Sequence, residues 1–169
     1  MDAMEAIVTR RSVRKYTSRA VPDELVKELL EAAMYAPSAG NQQPWHFVVI
    51  RDREVMSRIP RIHPYAAMVI EAAAAVVVCG DTSMEKHKGF WVQDCSAATE
   101  NLLIAAHAKG LGAVWVGIYP NGDRVKGFKE LLGLPDNIFP LALIPIGFPA
   151  EKKAQPARYE GSRVHKDRW

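Results

Sequence analysis

The chain has 169 residues, enough for one domain with a hydrophobic core of its own. Its composition, 49% hydrophobic and 24% charged, is that of a soluble globular protein. The net charge of +3, from 22 basic and 19 acidic residues, is too mild to point to nucleic acid.

Two cysteines, Cys79 and Cys95, are far apart and form no CxxC pair. They read as small apolar core residues in a reducing, cytoplasmic setting. Residues 1–5 lack a basic region followed by an apolar run, so no signal peptide is expected. The longest apolar run, residues 72–79, is far too short to cross a bilayer.

Residues 2–9 carry Met4, Ile7 and Val8 at helical spacing and predict a short amphipathic helix. It runs into Arg10 and Arg11, cations favoured at a helix C-terminal end. Pro22 is expected at the first position of the next helix, with Asp23 and Glu24 in its first turn. Leu25, Val26, Leu29, Leu30, Ala33 and Met34 make its apolar face, and Pro37 stops it. Residues 46–50 then predict a strand, 52–59 a short helix, and 61–67 an irregular stretch broken by Pro60 and Pro64. The β-branched run 74–79 predicts a fully buried strand.

Residues 92–109 predict a long helix, with Val92, Cys95, Ala98, Leu102, Ala105 and Ala106 as its main stripe. Leu103 and Ile104 widen that stripe, so the helix should be central and partly covered by a second subunit. Gly110 is placed to end it. A strand at 113–118, a helix at 122–132 and a last strand at 139–148 follow. Beyond Pro149 the chain turns polar and is expected to be extended. Buried strands separated by helices give α/β or α+β, with helices on both faces of the sheet.

Gly110-Leu111-Gly112 is not a dinucleotide fingerprint, because it follows a helix and precedes a strand. No GxxxxGK[ST] is present, and the five histidines show no metal spacing. Ser38 is not in a GxSxG elbow, so serine hydrolase chemistry has no support. Trp115 reads as a core anchor, while Phe90 and Trp91 follow a polar loop and could either cover a flat ligand or simply dock.

Two clusters remain. Arg10-Arg11-Ser12-Val13-Arg14-Lys15-Tyr16 offers cations and a hydroxyl. Pro37-Ser38-Ala39-Gly40-Asn41-Gln42-Gln43-Pro44-Trp45 offers small residues and amides. Together they suit a ligand with an anionic end and a flat, polar-edged ring. With Gln93 through Asn101, Gly110-Leu111-Gly112 and Trp115-Val116-Gly117 in order, the chain resembles the nitroreductase family of FMN-dependent oxidoreductases.

That resemblance implies an α+β fold, a mixed central sheet flanked by helices in an intertwined homodimer with two FMN molecules at the subunit interface. One FMN-binding domain spans 1–169, and the tail 149–169 contributes to the dimer. Arg10 and Ser12 match phosphate-binding residues, with Arg11 close by and Arg158 as a C-terminal phosphate ligand. Arg14 matches a cation at the flavin N1/O2 edge. Pro37, Ser38, Ala39 and Asn41 match a loop reaching the flavin from the partner subunit, and Gln93 lies near the pocket. Val116, Gly117 and Ile118 match a strand end whose N–H groups face flavin O4 and N5.

The implied activity passes hydride from NAD(P)H through flavin N5 to nitroaromatics, quinones or similar acceptors, in ping-pong fashion. No side-chain acid or nucleophile is required. Longer relatives often carry an acidic residue after the strand end, and Gly117-Ile118-Tyr119-Pro120 has none. Some relatives remove halogen from aromatics or cleave flavin, so the acceptor and the choice of nicotinamide do not transfer. A flavin carrier or redox sensor without turnover is the alternative, and a small domain binding an unrelated phosphate ligand is the blandest.

Overall fold

The apolar run that predicts a buried strand becomes β2 (Ala74–Asp81), and every residue in it is buried. The structure is a computed structural model that describes residues 1–169. Side chains alternate across a strand. Accordingly Val76 and Val78 enter one hydrophobic cluster, while Ala75, Val77 and Cys79 enter another on the opposite face. A strand covered on both faces has no polar side, which is why this stretch shows no alternation.

β1 (Trp45–Ile50) pairs with one edge of β2, and β5 (Ile138–Gly147) pairs with the other, both antiparallel. Beyond β5 lie two short strands, β3 (Gly112–Ala113) and β4 (Val116–Gly117). A parallel bridge from Ser12 to Ala113 adds the N-terminal segment and makes the sheet mixed. On one face α2 (Asp23–Met34) and α4 (Trp91–Ala108) bury Leu29, Cys95, Ala98 and Leu102. On the other, α3 (Arg53–Ile62) and α5 (Gly122–Leu132) bury Met56, Ile59 and Phe128. The fold is α+β, with helices on both faces of the sheet.

The single strand expected at 113–118 is split into two, and the register shows why. Gly112 faces Gly147, Ala113 faces Ile146 and Val116 faces Leu143, one unbroken register. Continuing that register puts Pro145 opposite Val114, and proline has no N–H to close the ladder there. The segment stays extended but loses its pairing for two residues. A second proline, Pro140, sits beside the register shift between Val78 and Cys79 on β2.

Three other boundaries move. Pro22 is the cap before α2 rather than its first residue. α3 runs through Pro60 to Ile62, and 64–71 forms a 3-10 helix instead of an irregular stretch. The buried side chains of Ile59 and Ala66 hold these turns despite the prolines. α4 begins at Trp91, which is 6% exposed and packs edge-on against Tyr119 at 4.9 Å. Trp91 is therefore a core residue, while Phe90 stays exposed. Gly110, at φ 75°, ends α4 as expected. Its N–H bonds the His107 carbonyl and Leu111 N–H the Ala106 carbonyl, the paired bonds of a Schellman cap.

α1 (Ala3–Thr9) buries only Ala6, and Met4, Ile7 and Val8 face outward. The tail is tied to the body by the Tyr16–Pro149 bridge and by Arg11, whose Nε donates to the Ala154 carbonyl at 3.0 Å. Residues 152–169 are all exposed.

Candidate functional site

The sequence-predicted residues gather in three places. The first is a cavity of about 640 Å³ at the β4 end of the sheet, lined by Arg14, Val116 and Gly117. His63, Tyr65, Trp115, Tyr119 and Arg124 complete much of its wall. In an antiparallel ladder, adjacent residues alternate between bonding their neighbour and turning away from it. Ile118 N–H bonds the Leu141 carbonyl at 2.9 Å, so Gly117 turns its N–H and C=O away from β5. The Gly117 carbonyl accepts from His63 Nε2 at 2.9 Å and from Arg124 at 3.3 Å. A Cβ added to Gly117 would meet nothing within 4 Å, so the space over this peptide is open. Ile118 is fully buried, and its N–H is already engaged in the sheet.

The second place is a cavity of about 520 Å³ between α1, α4 and the tail, lined by Arg10, Arg11, Glu100 and Arg158. Arg10 pairs with Glu100 at 3.4 Å. Arg11 is held by the Val8 and Ala154 carbonyls, each at 3.0 Å, yet its Nη2 is buried with no partner. Ser12 lies between Arg11 and Arg14 in the chain, is among the lining residues of neither cavity, and is fixed by its bridge to Ala113.

The third place is the loop between α2 and β1. Gly40, Asn41 and Gln43 all have positive φ, of 53°, 54° and 48°. Two of these are not glycine, a strained arrangement that needs strong anchoring. A Cβ on Gly40 would also lie 2.7 Å from His87 Nε2, at the end of an exposed side chain that would have to move.

The anchor is a buried network. Asp94 accepts from Ala39 N–H at 2.8 Å and from Gln42 Nε2 at 2.6 Å. The Gln42 carbonyl in turn accepts from Lys86 and His87 N–H, at 2.9 and 3.1 Å. Pro37 and Asn41 are thereby displayed at the surface, with Ser38 and Ala39 half-buried between them. Gln93 is exposed on the first turn of α4 beside this loop. Asp94 and Glu100 are six residues apart on α4, about 9 Å of rise and well over a quarter-turn around the axis. The loop and the Arg10 cavity therefore lie on different faces of that helix.

Sequence reasoning did not single out His63, Tyr65 or Arg124. His63 is 2% exposed, and its Nδ1 is buried without a partner. Nδ1 of His63 and Nη2 of Arg11 are the two buried side-chain polar atoms lacking a hydrogen bond. Buried polar groups are normally satisfied, so these two stand out. His63 is among the residues lining the first cavity and Arg11 among those lining the second.

No carboxylate lines the first cavity. Burial pushes the Cys79 thiol up to about 12 and raises Cys95 as well, so neither is a ready nucleophile. No three His, Cys, Asp or Glu side chains converge as metal ligands, and no helix is long and apolar enough to cross a membrane.

The nitroreductase family model matches residues 7–78 and 63–148. A candidate NADH dehydrogenase/NAD(P)H nitroreductase of Methanothermobacter thermautotrophicus is 52% identical over all of this chain and 88% of its own. The crystal structure of a protein so described from Parabacteroides distasonis superposes with a TM-score of 0.95 at 41% identity, covering 99% of this chain and 98% of that one. A candidate nitroreductase from Desulfovibrio desulfuricans, solved in complex with FMN, gives 0.86 at 32% identity, covering 100% and 98%. The chain belongs to the nitroreductase family.

Proposed function

We propose that the protein is a homodimeric, FMN-dependent oxidoreductase that draws electrons from NAD(P)H and passes them to nitroaromatics, quinones or similar acceptors in alternating half-reactions. The observation that carries this reading is the set of three arginines, Arg10, Arg11 and Arg158, lining one cavity while Arg14, Val116 and Gly117 line the other. The two cavities are joined along the chain by the short segment 11–14, one cationic and one ring-sized.

When bound, FMN supplies the redox chemistry. Arg10, Arg11 and Arg158 hold its phosphate through charge-assisted hydrogen bonds, and Ser12 adds a hydroxyl. Arg14 stabilises the negative charge that develops along the N1/O2 edge on reduction. Gly117, with open space above it and its N–H turned outward, contacts the ring edge, flanked by Val116. Ile118 supports this peptide from the sheet.

The dimer follows from what one protomer leaves uncovered. Met4, Ile7 and Val8 on α1 are exposed, and so is almost all of the tail from Pro149. A second copy covers them, and the single domain 1–169 is completed by exchange of its tails. The loop carrying Pro37, Ser38, Ala39 and Asn41, with Gln93 behind it, then reaches the flavin of the partner subunit. The setting is cytoplasmic, matching two free thiols.

Steady-state oxidation of NADH and NADPH with menadione or a nitrofuran tests turnover. The account expects acceptor-dependent oxidation by the FMN-loaded protein. A bound flavin that neither nicotinamide reduces would make the protein a carrier instead.

A further inference from the structure

We propose that Arg124 selects electron acceptors that carry an anionic group on an aromatic ring, such as a carboxylate, sulfonate or phenolate. This rests on the oxidoreductase reading above and narrows its acceptors; it assigns Arg124 no contact with the flavin.

The first cavity is unbalanced in charge. Arg14 and Arg124 both line it, and no aspartate or glutamate does. Neither guanidinium takes part in an ion pair. Glu151 meets Arg14 through the backbone N–H, at 2.7 Å, and is not part of the cavity wall. The flavin reading uses one of the two cations, since Arg14 answers the charge on the reduced ring. Arg124 is left over.

The fold gives Arg124 little to do. It stands in the first turn of α5, where the helix dipole disfavours a cation. Its guanidinium makes one hydrogen bond, from Nη1 to the Gly117 carbonyl at 3.3 Å, on an oxygen that His63 already serves at 2.9 Å. The rest of its N–H groups have no protein acceptor and are free for a ligand. The side chain is half-buried, with its Cζ over the Tyr65 ring, 5.8 Å from the centre. Tyr65 and Tyr119 are both exposed and line the same cavity. A fork of donors beside aromatic rings suits a flat anion, gripped at its charge and packed along its face.

Reach decides which anion. A guanidinium held at Gly117 places a carboxylate oxygen only about 2.8 Å beyond its own nitrogens. That point is close to the peptide that borders the flavin edge. A charge attached directly to an acceptor ring arrives there as the ring enters the cavity. The diphosphate of NAD(P)H, separated from its nicotinamide by a ribose, stays further out.

The test titrates the oxidised, FMN-loaded protein, without nicotinamide, with para-nitrobenzoate and with para-nitrobenzamide. The two rings match in size and differ in charge, and the change in flavin absorption gives each dissociation constant. Wild type is expected to bind the anion roughly tenfold more tightly or better, with a preference that shrinks as salt is raised. Arg124→Gln is expected to lose the preference, and Arg124→Lys, which keeps the charge without the fork, to retain part of it. In steady-state kinetics the loss in Arg124→Gln should appear in the KM for para-nitrobenzoate rather than in the KM for NADH. The melting temperature checks that each variant folds, and the wild-type comparison needs no variant.

Equal binding of the two rings by wild type, or binding of neither, would overturn the proposal. An undiminished preference in a folded Arg124→Gln would do so too. A rise confined to the KM for NADH would move Arg124 to the nicotinamide's diphosphate, and a weakened hold on FMN would move it to the flavin; either overturns the assignment. If wild type reduces neither nitro compound nor menadione with either nicotinamide, the oxidoreductase reading falls and the assignment falls with it.

Discussion

Arg10 stands 3.4 Å from Glu100 in the protein, an ion pair that competes with any phosphate for the same guanidinium. Arg10→Ala should lose one charge-assisted contact, about 1.5–3 kcal/mol, or roughly a ten- to hundredfold rise in the FMN dissociation constant. Titration by fluorescence quenching checks it, and unchanged affinity would contradict the phosphate assignment. His107 gives a pH prediction. Burial, with Arg10 and Arg11 nearby, holds this imidazole below the ordinary histidine range, and Thr9 hydrogen-bonds it at 2.7 Å. The unfolded chain takes up the proton first, so stability is full above about pH 6.5 and falls as the pH drops below that. The urea midpoint of His107→Gln should fall less than that of wild type on acidification. Arginines and glycines of the candidate site were legible as candidates because they stand in motifs of fixed spacing. His63 was not, since its place beside Gly117 is set by a carbonyl 54 residues away.

At the scale of elements, the loop 38–42 depends on Asp94, which is 4% exposed and serves two donors. Asp94→Ala would leave Ala39 N–H and the Gln42 amide buried without acceptors, on the order of 2–5 kcal/mol. Urea unfolding should show that loss, and amide exchange at Ala39 should quicken. Asp94→Asn keeps one acceptor and should cost less. The periodicity of the helices carried most of the fold, since α4 and α5 each begin and end within a residue of their expected bounds. The strand at 113–118 did not survive whole, because the missing N–H belongs to Pro145 on another strand. Local pattern cannot see a defect in the partner. α1 shows the converse: its apolar spacing is evident, but that face is not turned into its own core.

For the whole molecule, the exposed tail and the outward face of α1 predict that the chain pairs with a second copy. Removing residues 151–169 should convert a dimer to a monomer in sedimentation and weaken FMN binding through loss of Arg158. A truncated chain that stays dimeric and binds FMN normally would detach the tail from both roles. The central claim is that the cation-rich second cavity and the first cavity together hold one FMN per chain. Titrating the purified, flavin-free protein with FMN while following absorption and fluorescence tests this most directly. The account predicts saturable quenching at one FMN per chain and a shifted, resolved flavin spectrum. A protein that remains colourless after mixing with FMN and desalting would contradict it.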